Sequence, residues 1–110
     1  VVPLAQIPSG RFGEAIVELQ SLLERLRGAS DEERRPIYAE CVPLLAEANE
    51  LNRHPLPRKE VKSLLLEAGW HLRSLAGVAI VGGNTSDEHH SWAQHSLSGL
   101  EAWSARHPAL

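Results

Sequence analysis

Apolar residues in this chain recur every three or four positions in four separate stretches, and none of these stretches alternates at every second position. That spacing is the period of an α-helix burying one stripe, not of a half-buried strand. The clearest stretch spans about 12–27. There Phe12, Ile16, Leu19, Leu23 and Leu26 fall within about 80° of one another at 100° per residue, and Glu14, Glu18, Ser21 and Arg25 take the other side. Gly28 suits the left-handed residue that stops a helix.

Three further helices follow from the same logic. Ser30-Asp31-Glu32-Glu33 has the pattern of a capping box opening a helix over about 31–51, with Ile37, Cys41, Leu44, Leu45, Ala48 and Leu51 on one face. Pro36 is placed near its first turn and Pro43 is expected to bend it. After a connector with two prolines, a third helix is expected over about 58–81, ended by Gly82-Gly83-Asn84. Thr85-Ser86-Asp87-Glu88 repeats the capping-box pattern and opens a fourth helix over about 86–106. Residues 1–11, with Pro3 and Pro8, read as an extended arm. A chain of 110 residues has room for one such domain. Short connections favour antiparallel neighbours, so the expected fold is all-α: an antiparallel four-helix bundle with an extended N-terminal arm.

The third helix is unusual in being apolar on two sides. Its main stripe is Val61, Leu64, Leu65, Ala68, Leu72, Leu75, Ala76 and Ala79. A second strip, Leu66, Trp70, Gly77 and Ile80, lies nearly opposite, with Arg73 at its edge. An aromatic anchor in a polar rim is the usual composition of an interface centre. These five residues are therefore the expected docking strip for a protein partner or for a second copy in a homodimer. The alternative is that Val2, Leu4 and Ile7 of the arm fold over it.

Six histidines invite a metal reading. Two ligands on one helix need to be three or four residues apart to share a face. His89 and His90 are adjacent, and His95 is five or six residues away. A site would form only if Glu67 and His71 of the third helix met Glu88 and His89 of the fourth, so those four are the metal candidates; the commoner expectation is that the histidines are solvated or cap helices. Cys41 sits mid-stripe, where a thiol packs as a small hydrophobe and not as a nucleophile. No catalytic residue and no cofactor is expected.

Charge adds one more surface. Arg53, His54, Arg58, Lys59 and Lys62 crowd the connector before the third helix, with Arg34 and Arg35 expected to join them, and the patch could meet an acidic partner. A formal net charge of −3 and dispersed aromatics argue against nucleic acid. The longest run of apolar residues and glycine, Leu75 to Gly83, is far short of the roughly 20 residues that span a bilayer, so no membrane is expected. A single cysteine suits the cytoplasm. The lack of methionine suggests one helical domain, 1–110, excised from a longer protein. The reading is a non-enzymatic interaction, oligomerisation or adaptor module. Its rivals are a small metal- or histidine-dependent enzyme with a site between the third and fourth helices, and a regulatory or scaffold domain of a larger enzyme.

Overall fold

The computed structural model describes residues 10–53, 58–77 and 86–107, and these form four helices: α1 (Arg11–Arg27), α2 (Asp31–Asn52), α3 (Lys59–Leu75) and α4 (Ser86–Arg106). The class is all-α, with no strand among the described residues. Residues 1–9 of the expected arm, His54, Ile80 and residues 82–85 lie outside the described residues. Arg11, assigned to the arm from sequence, instead begins α1, preceded by Gly10 in the left-handed region at φ 83°.

Each helix forms for a local reason and persists for a tertiary one. At the start of α2, the Glu33 carboxylate accepts from the Ser30 backbone N–H at 3.2 Å and from its hydroxyl at 2.8 Å. These two donors hold the Glu33 carboxyl below its usual pKa. The cap fixes Asp31 as the first residue, so Pro36 lies inside the helix and not at its start. Pro36 and Pro43 each delete a backbone donor. The helix continues through both, with Ile37, Cys41 and Ala48 buried on one side.

The third helix ends earlier than its hydrophobic pattern implies. Gly77 adopts φ 72°, a conformation costly for any residue with a Cβ, and its N–H donates to the Ser74 carbonyl at 3.0 Å. α3 therefore stops at Leu75, and residues 78–81 of the expected helix lie outside the described residues.

α1 packs on α2 and α4, and α3 packs on the same two, with the α3–α4 contact the most extensive. Arg11 at the start of α1 meets Glu47 near the end of α2, while Arg25 near the end of α1 meets Glu40 at 3.1 Å. One continuous core joins Phe12, Ile16, Leu19 and Leu23 of α1, Leu65 and Leu72 of α3, and Leu97 and Leu100 of α4. Each such buried side chain contributes about 1.5–3 kcal/mol of transfer free energy. Cys41 belongs to this core, and burial pushes its thiol pKa up to about 12, so it is inert at neutral pH. No described helix is long and apolar enough to cross a membrane.

Candidate functional site

Two surfaces flank α3, one against α2 and one against α4. On the α2 side, Leu66 is 62% exposed and Trp70 54% exposed. They stand beside a groove of about 500 Å³ whose other wall is Tyr38, Leu45 and Asn49 of α2. Gly69 helps keep the groove open, because it contributes no side chain. Arg73 lines one end. The structure thus brings together three of the five expected strip residues. Gly77 is not one of them: it lies past the end of the helix, where its backbone turns away from the helical period. The α2 residues of the groove were not anticipated, because nothing in the spacing of α2 says which of its intermediate positions will face Trp70.

On the α4 side the seam is polar and aromatic. His71 Nδ1 and His89 Nδ1 are 2.9 Å apart, and the ring of Trp92 packs against both, with centroids 5.1 Å and 5.6 Å away. One imidazole nitrogen donates and the other accepts, so the neutral pair satisfies itself. Burial lowers the His71 pKa, and the neighbouring His89 lowers it further, against an opposing pull from Glu67. One turn along, the Ser96 hydroxyl donates to Glu67 Oε2 at 3.2 Å. Glu67, His71, Trp92, His95 and Ser96 line a cavity of about 300 Å³ beside the imidazole pair.

Of the four metal candidates, His71 and His89 meet directly, and Glu67 lies near His71 across the cavity. Glu88 is exposed. No three His, Cys, Asp or Glu side chains converge on one metal-sized point among the described residues. One expectation is corrected here. His89 and His90 are buried, not solvated, because α4 turns them toward α3 and α1; His90 Nε2 lies 3.3 Å from Glu24 of α1, without hydrogen-bond geometry. Trp92 is 40% exposed and packs its ring over the two histidines.

The basic turn is dispersed by its own contacts. Arg58 places its guanidinium 5.3 Å from the Trp103 ring centroid and donates to the Asn52 carbonyl at 3.3 Å. Trp103 Nε1 donates to Glu60 at 3.2 Å, and His107 stacks on the indole at 4.2 Å. Arg53 pairs with Glu50 at 3.3 Å. Lys59 and Lys62 are exposed. Arg34 does not join the patch: its guanidinium donates to the Leu75 carbonyl, at the opposite end of α3. Compared with protein-family models, with curated proteins and with solved structures, the chain matches none.

Proposed function

We propose that the chain is a non-enzymatic helical interaction module, built as an antiparallel four-helix bundle, that self-associates through the Leu66/Trp70 flank of α3. The observation that carries this reading is a large indole left 54% exposed at the lip of an apolar groove. Large apolar side chains gathered in one exposed patch mark interfaces, whereas single scattered ones do not. The occupant is a second copy, because this patch holds both a projection and a recess. An interface related by a two-fold axis needs one surface to supply both halves of the fit. Trp70 of one copy enters beside Tyr38 and Leu45 of the other, and Arg73 remains at the wet rim. A reducing compartment such as the cytoplasm suits a chain whose one thiol is buried and unpaired.

The test is sedimentation velocity over a wide concentration range. The parent sediments as a concentration-dependent dimer, whereas Trp70→Glu stays monomeric and, compared below the dimerisation range, unfolds at the same denaturant midpoint. A parent that is monomeric throughout, or a Trp70→Glu variant that dimerises equally well, removes the proposal.

A further inference from the structure

We infer that the His71–His89 pair is a proton-operated latch on the α3–α4 seam, closed while the two rings hold at most one added proton and released by the second. The inference does not depend on self-association. The rings meet end-on: Nδ1 faces Nδ1 at 2.9 Å, with the centroids 5.2 Å apart. In the neutral pair one Nδ1 carries the hydrogen and the other accepts it. A first added proton goes to Nε2 of the donating ring and leaves that hydrogen bond in place, now charge-assisted. A second must go to the accepting Nδ1, because Nε2 of that ring already carries a hydrogen. It removes the acceptor between the rings and sets two N–H groups and two positive charges against each other.

The surroundings make that second charge costly. His89 is buried and Trp92 packs on both rings, so solvent does little to spread the charge. Burial and the neighbouring His89 lower the His71 pKa, and Glu67 on α3 opposes them. Glu88 and His95 of α4 are exposed, and Arg34 of α2 donates to the Leu75 carbonyl, one turn beyond His71. Against α1, acid acts in the opposite sense. His90 Nε2 is buried without a hydrogen-bond partner 3.3 Å from Glu24 Oε1, so a proton taken up there is set beside a carboxylate. Acid therefore loosens α4 from α3 while α4 keeps its hold on α1. The closed seam binds the second proton more weakly than the open one. Its advantage is complete above the ordinary histidine value of 6.5 and falls by about tenfold per pH unit below it, until the closed pair takes that proton too.

The experiment is amide hydrogen exchange of the full chain by nuclear magnetic resonance, with protection factors compared between pH 7 and pH 5. Protection over residues 71–75 and 89–93 should fall by roughly thirtyfold more than at Leu19 and Leu23 of α1, the effect of one proton over about 1.5 pH units. His71→Gln offers His89 an amide oxygen but takes no proton, so its seam should lose no more protection in acid than its α1 does. His71 is only half-buried, so this variant is expected to fold, as circular dichroism will check. His95→Ala, outside the pair, should keep the parent response. Imidazole nitrogen shifts of the parent, which need no variant, should show the pair titrating in two separated steps. Two independent ordinary titrations with the seam still protected, an equal loss of protection in α1 and the seam of the parent, or a full acid response in folded His71→Gln overturns the latch.

Discussion

The two seams of α3 are built from similar helices and end in different states. Against α4, small residues let the helices close. Ser96 and Ala93 are buried, and Gly99 lies where an added Cβ would sit 3.4 Å from Leu64. The closed seam is then tied by Glu67–Ser96, His71–His89 and Glu60–Trp103. Against α2, the facing residues are Tyr38, Leu45 and Asn49, none fully buried, and a groove remains between the helices. Polar ties thus accumulate where backbones approach closely, and apolar surface is left over where they do not.

The sharpest way to break this contrast is to delete a leucine from each side. Leu97→Ala, wholly buried in α4, should cost about 2–5 kcal/mol in denaturant unfolding. Leu66→Ala on the groove should stay within about 0.5 kcal/mol of the parent, measured below the dimerisation range. Similar losses at both positions would show that the groove is part of the core. A smaller effect comes from Gly69→Ala, whose new methyl would lie 3.5 Å from Leu45 Cδ1, an ordinary contact. Better helix propensity should then stabilise the chain by up to about 1 kcal/mol, and a destabilised variant would mean that the α2 seam is as tight as the α4 seam.

A comparably small effect is expected at the rim between α1 and α2, where a polar tie resembles those of the closed seam but is partly exposed. Arg11 Nε donates to Glu47 Oε2 at 2.8 Å, and this hydrogen bond, with the charge of the guanidinium, holds the Glu47 carboxyl below its ordinary value. The contribution is complete above the unfolded-state pKa near 4.5 and is lost as pH falls through the lower folded value. Solvent screening limits it to about 1 kcal/mol or less. Arg11→Gln should therefore reduce stability slightly at neutral pH and flatten the acid limb of the stability curve. An unchanged acid limb would show that the pair contributes nothing.

How much of this was legible beforehand follows from the range of each interaction. The α1 stripe and the Ser30–Glu33 cap were readable because every participant lies within a few residues of the next. The end of α3 was not, because Gly77 in isolation fits a helix interior as well as a stop. Leu66 and Trp70 were identified as a surface strip from the period of one helix, but the Tyr38 and Leu45 wall opposite them belongs to another. The same limit hid Trp92 over the histidines. His89 has no imidazole or carboxylate at helical spacing on its own helix, so spacing alone could not show that it meets His71 of α3.

Periodicity, capping residues and the second apolar flank of α3 were determined by sequence alone, since backbone hydrogen bonding and side-chain direction along a helix repeat locally. Which flank closed and which stayed open was decided only by the tertiary structure. That outcome depends on how near two backbones can come, and therefore on the size of side chains contributed by a different helix.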